Sequence, residues 1–171
     1  MSKLIHTFDR AVKAVSVTAA ALGCIAILLI AIGVTTNSVF RYAFNMPLLF
    51  VDEYAQYLLV AAFYLGVGYT FRAGRHVYVS LIIDRLGVAL ARPLKIVIFL
   101  ASVITIGLMA YYSWTAFWST AKAGIVSITP METPLAYPFF AVAIGMSIFT
   151  LEVLVALLKE LFGLEHKTFT A

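Results

Sequence analysis

The side chains best placed for chemistry lie in a short polar segment between two apolar stretches. Asn37 and Arg41 are four residues apart, so they share one face of a helix. Asp52 and Glu53 open the next apolar stretch, where the positive end of a helix dipole favours carboxylates. Because consecutive helices joined by a short loop are neighbours, we predict that Arg41 lies near Asp52 or Glu53. A partly desolvated ion pair would join the two helix ends, with Asn37 bonding a backbone group; the simpler interpretation is that each charge is separately hydrated.

The loop between these residues is unusually apolar and looks suited to packing against membrane or protein. The candidates for a subunit interface or a docking surface are Asn37, Arg41, Tyr42, Phe44, Asp52 and Glu53.

A second polar group ends the second apolar stretch with Arg72, Gly74, Arg75 and His76. Cations there complement the negative end of a helix, and Gly74 can adopt the left-handed conformation of a C-cap. Capping and membrane topology account for these residues, although His76 could also sense pH. Glu152 is a lone acid in apolar surroundings, and we expect it to pair with a basic residue of the connection between the second and third stretches.

Other chemistries are not indicated by the sequence. The histidines, His6, His76 and His166, all flank the apolar stretches, so ligation of haem between helices is not expected. A proton-coupled exporter needs an ionisable group inside the membrane. The nearest candidates are predicted to lie at or beyond helix ends: Arg41, Asp52, Glu53 and Glu152. No nucleophile elbow, phosphate loop or metal-ligand cluster occurs. We therefore expect no catalytic residue, metal site or cofactor.

The elements that position these residues are four long uncharged stretches in a chain of 171 residues, 63% hydrophobic and 12% charged. A membrane-crossing helix needs about 20 apolar residues. The sequence predicts a single all-α membrane domain over residues 1–171, with four crossings. They cover residues 14–40, 54–72, 94–121 and 133–158.

Charge distribution predicts the orientation. All but two of the 12 lysines and arginines lie at the termini or between the second and third stretches; Arg41 and Lys122 are the exceptions. The positive-inside rule then places both termini in the cytoplasm of a multi-pass protein in a bacterial inner membrane. The basic residues flank apolar stretches that contact lipid and form no dense patch, so nucleic acid is not an expected partner.

Two connecting segments have amphipathic character. Residues 77–92 are predicted to form an interfacial helix, with extension of the crossing helices as the alternative. Residues 3–13 could likewise lie in the interface before the chain turns into the membrane. The first apolar stretch is nearly twice the length of a signal-peptide core, so we expect it to be retained.

Small residues recur four apart in three of the stretches, a spacing that allows close helix approach in lipid. The pairs are Ala19–Gly23, Ala62–Gly66 and Ala141–Gly145.

One ordered set of residues resembles a known family, the small membrane subunit (DctQ-like) of tripartite ATP-independent periplasmic (TRAP) transporters. The similarity covers essentially the whole chain and is densest between positions 37 and 79. The matching residues are Asn37, Arg41, Tyr42, Phe44, Asp52, Glu53, Gly66, Arg72, Gly74, His76 and Val77.

The resemblance implies a non-catalytic scaffold in a stable complex with a large membrane subunit. A periplasmic substrate-binding protein would dock transiently, and a sodium gradient would drive uptake of an organic acid. The alternatives are a stand-alone small transporter that works as a homo-oligomer, and an assembly or anchoring subunit of an unrelated complex.

Overall fold

The computed structural model describes residues 2–74 and 88–163, which form a bundle of four long helices that alternate in direction along the chain. They are α1 (Ser2–Ala43), α2 (Leu49–Arg72), α3 (Val88–Ala123) and α4 (Ala136–Leu161). Within the described ranges, β geometry is limited to an isolated bridge between Val126 and Pro134. The prediction of an all-α architecture is therefore confirmed.

The first helix differs from its predicted form. Residues 3–13 do not turn into a separate interfacial segment, because α1 continues unbroken for 42 residues. The physical reason is that its early turns already pack inside the bundle. Val12 and Ser16 are both buried, and the Ser16 hydroxyl approaches Gly68 of α2.

The predicted interfacial helix 77–92 is described only in part. Residues 88–92 belong to α3, which begins at Val88, and residues 77–87 lie outside the described residues. For residues 88–92 the structure therefore favours the alternative, an extension of a crossing helix.

The helices pack in the spatial order α3, α4, α2, α1, so that α4 and α2 are central. The buried core centres on α4, whose Val153, Ala156 and Leu157 contact Phe99 of α3. Half of the most apolar segment of α4 is buried, against 17% in α1 and 11% in α3. The two flanking helices thus leave most of their apolar surface outside the bundle.

Two of the three glycines in the small-residue pairs lie at close helix contacts. A β-carbon added to Gly145 of α4 would lie 2.3 Å from the carbonyl oxygen of Tyr64 in α2. One added to Gly23 of α1 would lie 3.1 Å from the carbonyl oxygen of Ala62. One added to Gly66 would meet nothing within 4 Å. The α2–α4 contact is therefore the tightest of these approaches.

By length and composition, three of the described helices are apolar enough to cross a membrane: α1 from Ile5, α3 from Arg92, and α4. The 24 residues of α2 are less apolar, because they include Gln56 and several tyrosines. These long apolar helices identify the chain as a membrane protein.

Candidate functional site

One end of the bundle contains a network of ion pairs, called here the Arg72 cluster. It consists of Asp9 of α1, Arg72 of α2, and Glu152 and Lys159 of α4. The guanidinium of Arg72 lies 2.7 Å from Glu152 and 2.8 Å from Asp9, and Lys159 lies 2.8 Å from the same Asp9. The network therefore joins three helices that are far apart in sequence.

Glu152 is 3% exposed and lies well inside α4, not at its end as the sequence analysis placed it. The apolar sequence resumes after Glu152, so the helix continues to Leu161. Burial of a carboxylate is costly without a partner, and Arg72 supplies one. The prediction that Glu152 pairs with a basic residue is confirmed.

Asp9 lies near the start of α1, within its long apolar span. Its two carboxylate oxygens contact Arg72 and Lys159, each at 2.8 Å. The negative charge of Asp9 is therefore balanced by two cations.

The predicted C-cap of α2 is also present. Gly74 has a φ of 68°, and its N–H donates to the carbonyl of Phe71 at 3.0 Å. Such a left-handed residue suits glycine and closes the helix directly after Arg72. Arg75 and His76, predicted with it, lie outside the described residues.

The opposite end of the bundle contains a buried carboxylate surrounded by hydroxyl groups, called here the Glu53 cluster. Its members are Glu53 and Tyr57 of α2 and Ser127, Thr129 and Thr133 of the α3–α4 loop (residues 124–135). Glu53 is 6% exposed. It accepts hydrogen bonds from Tyr57 at 2.8 Å, from Ser127 at 2.7 Å, and from Thr129.

Glu53 immediately precedes the predicted second crossing. Hydrogen bonds from Ser127 and Thr129 lower its pKa to about 2, overcoming the opposing effect of burial. The loop backbone is closed by its own bonds, in which Ser127 N–H donates to Thr133 and Leu135 N–H to Ile125. Glu53 therefore fastens an already compact loop onto α2.

The predicted ion pair between Arg41 and Asp52 or Glu53 is wrong. Arg41 is exposed and forms no ion pair within the described residues. Asn37, one turn earlier, faces α2 instead: its amide donates to Asp52 at 3.2 Å and its oxygen accepts the N–H of Leu48 at 2.8 Å. The predicted hydrogen bond between Asn37 and a backbone group is thus present. The Glu53 side chain instead contacts the α3–α4 loop.

The remaining candidates are exposed on the Glu53 side of the bundle. The side chain of Tyr42 is 84% exposed, and Phe44 is exposed with its ring 5.5 Å from that of Phe40. The α3–α4 loop adds Ile128, which is fully exposed. These apolar groups are exposed at the same end of the bundle as the Glu53 cluster.

Six members of the two clusters were not predicted from the sequence: Asp9 and Lys159 of the Arg72 cluster, and Tyr57, Ser127, Thr129 and Thr133 of the Glu53 cluster. A weak signal existed for Asp9, the only acid in the first 51 residues. Serine and threonine in a loop with two prolines carry no comparable signal, because their hydroxyls usually face water.

Both clusters position helices and loops, since the charges of the Arg72 cluster pair with one another and Glu53 accepts hydrogen bonds from Tyr57, Ser127 and Thr129. Within the described ranges, no group of three or more His, Cys, Asp or Glu side chains could hold a metal ion. What the arrangement can do chemically is hold α1, α2, α4 and the α3–α4 loop in fixed relative positions.

Two comparisons with known proteins identify the family of this chain. A family model described as "Tripartite ATP-independent periplasmic transporters, DctQ component" matches residues 30–163. The chain is also 33% identical over 110 residues to the ectoine TRAP transporter small permease protein TeaB of Halomonas elongata. That alignment covers 64% of this chain and 55% of the relative, so it spans about half the relative's length. Because the family match extends over most of the sequence, the chain belongs to the DctQ component family of TRAP transporters.

Proposed function

We propose that this subunit is a non-catalytic scaffold for the large membrane subunit of a TRAP transporter. The transporter would use a sodium gradient and a periplasmic binding protein to take up an organic acid. The observation that carries the proposal is the uneven burial of the helices. α4 is half buried, whereas the most apolar segments of α1 and α3 are largely exposed.

A scaffold needs a rigid interior and apolar outer faces that the subunit itself does not cover. The interior is fixed by the Gly145–Tyr64 contact and by the Arg72 cluster. The outer faces present rows of large apolar side chains, such as Leu28 and Ile32 on α1 and Ile104 and Leu108 on α3. Lipid or another membrane protein is the natural partner for such rows.

The ionisable groups of the interior support a fixed role over a transporting one. Glu152 is neutralised by Arg72, and Glu53 is held by hydroxyl donors. A solute-coupling group must change partners during a transport cycle, and both carboxylates are tied to several elements at once.

We further propose that all four helices cross the inner membrane of a bacterium, with the Arg72 cluster on the cytoplasmic side. At 24 residues α2 is about 36 Å long, enough to span the apolar core beside α1 and α4. Its tyrosines and Gln56 would then face protein or the interfaces. The exposed loops at the Glu53 end would add to the surface on which the loaded binding protein docks.

Paired variants test the scaffold role. We expect that at least one of two double variants, Leu28→Ser with Ile32→Ser or Ile104→Ser with Leu108→Ser, abolishes co-purification of the large subunit while the thermal unfolding of the isolated chain stays unchanged. Both place two polar groups on one exposed helical face, so a variant that still co-purifies is the matched control for one that does not. Full co-purification with both variants would reject an intramembrane scaffold.

Uptake assays test the transport assignment. Removal of this subunit, with the large subunit and the binding protein retained, should abolish uptake in cells. Sodium-driven uptake at normal rates without it, or accumulation of a solute by this chain alone in liposomes, would contradict the proposal. The second result would favour the stand-alone transporter.

A further inference from the structure

One side of α2 is not covered by the other described helices. Its residues recur three and four positions apart over about four turns, so they line up along one face of the helix. Leu59 is 61% exposed and Phe63 is 64% exposed, and two polar members are exposed as well. This face, called here the α2 outer stripe, consists of Gln56, Leu59, Phe63, Gly66 and Thr70.

The contacts of neighbouring residues fix the direction of the stripe. Ala62 lies against Gly23 of α1, and Tyr64 lies against Gly145 of α4. Phe63 stands between Ala62 and Tyr64 in the sequence and projects about 100° from each of them around the helix axis. The α2 outer stripe therefore points away from both α1 and α4.

Gln56 makes lipid an unfavourable neighbour for the stripe. Its exposed amide forms no hydrogen bond with any described residue. In the proposed crossing, an apolar core of about 30 Å centred on α2 begins about 3 Å inside the first residue of the helix. Gln56 lies about 10 Å along α2 from Leu49, so its amide is within that core. An amide in hydrocarbon is unfavourable unless another group bonds to it.

Gly66 provides the space that a further helix would need. A β-carbon added to Gly66 would meet nothing within 4 Å, whereas one added to Gly23 or Gly145 would meet the backbone of α2. Between the larger side chains of Phe63 and Thr70, Gly66 forms a hollow that can receive a bulky side chain. Helix contacts in membranes combine small residues with polar side chains that bond across the contact. The stripe has both features but no helix of the described structure against it.

We propose that the α2 outer stripe binds one membrane-crossing helix of the large transporter subunit. That helix presents an amide or hydroxyl side chain opposite Gln56 and a bulky apolar side chain over Gly66. The alternation of three and four residues along the stripe suits a partner helix inclined by about 20°. The occupant is a protein because the exposed amide disfavours lipid, and the family is one component of a tripartite transporter. The inference rests on the proposed scaffold function and assigns it a specific contact.

A size series at Gly66 tests the contact. Gly66→Leu should abolish co-purification of the large subunit, because the added side chain fills the hollow and separates the two backbones. Gly66→Ala is the matched control and should reduce co-purification far less. The Tm of the isolated full chain in detergent should be the same for both variants, since the space beside Gly66 is open. Lipid chains adapt to either side chain, so full co-purification with Gly66→Leu would overturn the proposal.

Gln56→Leu tests the polar part of the stripe. The variant keeps a side chain of similar size, removes the amide and makes the stripe better suited to lipid. Affinity for the large subunit, measured by titration of the two purified subunits in detergent, should fall roughly threefold to tenfold with the loss of one interhelical hydrogen bond. The Tm of the isolated chain should be unchanged or higher. An unchanged affinity would overturn the proposal, because the amide is what distinguishes this face from one that contacts lipid.

Failure of this inference can be told apart from failure of the scaffold proposal. If removal of the subunit abolishes uptake while Gly66→Leu and Gln56→Leu bind the large subunit normally, the scaffold role stands and the stripe is not the contact. If the isolated chain forms a dimer that Gly66→Leu dissociates, the occupant is a second copy and the proposal is overturned. If Gly66→Leu does not fold, the affinity of Gln56→Leu still decides the question.

Discussion

The two buried glutamates of this bundle lie in opposite environments. Glu152 is held by Arg72, which also binds Asp9, and the network ends at Lys159. Glu53 accepts only hydroxyl hydrogen bonds, from its own helix and from the α3–α4 loop. The Arg72 cluster joins helices to helices by charge, whereas the Glu53 cluster joins a helix to a loop by neutral donors.

This contrast predicts which end of the subunit depends more on charge. Loss of one member of the Arg72 cluster leaves an uncompensated charge between packed helices. Loss of Glu53 frees hydroxyls that can turn toward water at the end of the bundle. We therefore expect the Arg72 end to respond more strongly to mutation.

The largest effect is expected for Arg72→Met, which removes the cation but keeps much of the aliphatic volume. Glu152 would remain buried and unpaired, which should lower the free energy of unfolding by about 3–5 kcal/mol. Denaturant titration of the purified protein in detergent would measure the change. Lys159→Met is the control: Asp9 keeps Arg72 as a partner, and the loss should be no more than about 1 kcal/mol.

A double variant separates charge from packing at the same place. Arg72→Met combined with Glu152→Leu should recover most of the lost stability, since apolar pairs often replace buried ion pairs without loss. If the double variant were less stable than Arg72→Met alone, the cost would come from packing, and the comparison between the two glutamates would fail.

The second effect tests whether the middle of the bundle matters as much as its ends. Gly145→Ala would place a β-carbon 2.3 Å from the Tyr64 carbonyl oxygen, so α2 and α4 must separate. We expect destabilisation of about 1–3 kcal/mol, measured in the same titration. Gly66→Ala meets nothing within 4 Å and should be neutral or stabilising by up to about 1 kcal/mol. Equal changes in the free energy of unfolding for Gly145→Ala and Gly66→Ala would show that the close approach of α2 and α4 does not limit stability.

The third effect concerns the link between α1 and α2 at the Glu53 end. Asn37→Ala should cost about 1–3 kcal/mol, because the Leu48 N–H and Asp52 both lose their partner. Arg41→Ala should change unfolding by less than about 0.5 kcal/mol, since Arg41 has no ion pair in the described structure. A larger loss for Arg41→Ala than for Asn37→Ala would restore the ion pair predicted from the sequence.

The smallest effect is confined to acid pH. The pKa of Glu53 falls from 4.5 to about 2 on folding, so its charged form stabilises the protein above pH 4.5. That contribution is lost as pH falls from 4.5 through 2. Glu53→Gln should flatten this part of the pH–stability curve, whereas Asp52→Asn should not. An unchanged curve for Glu53→Gln would contradict the hydrogen-bond explanation.

Much of the helical architecture follows directly from the sequence, because long apolar runs have few alternatives in a membrane. Capping by Gly74 and the pairing of Glu152 were also predictable, since each needs only a local rule and an unpaired charge. The first and last residues of the membrane-crossing helices were predicted less accurately. Polar residues such as Asp9 do not end α1, because they pair across the bundle.

The site was harder to predict because its geometry depends on rotation about helix axes. Arg41 and Asn37 share a face by spacing, but a small rotation decides which of them reaches α2. Ser127 lies 74 residues beyond Glu53 along the chain, and nothing in the intervening sequence indicates their contact. Tertiary contacts between a loop hydroxyl and a distant helix require the folded structure.

The unbroken length of α1 has a mechanical consequence. Its 42 residues extend for about 63 Å, whereas a bilayer with its headgroups is about 40–45 Å thick. α1 must therefore incline steeply or protrude, and its Asp9 attachment to α2 makes neighbouring helices share that inclination. A change in local bilayer thickness would therefore change the tilt of α1 and, through this attachment, the tilt of the whole subunit.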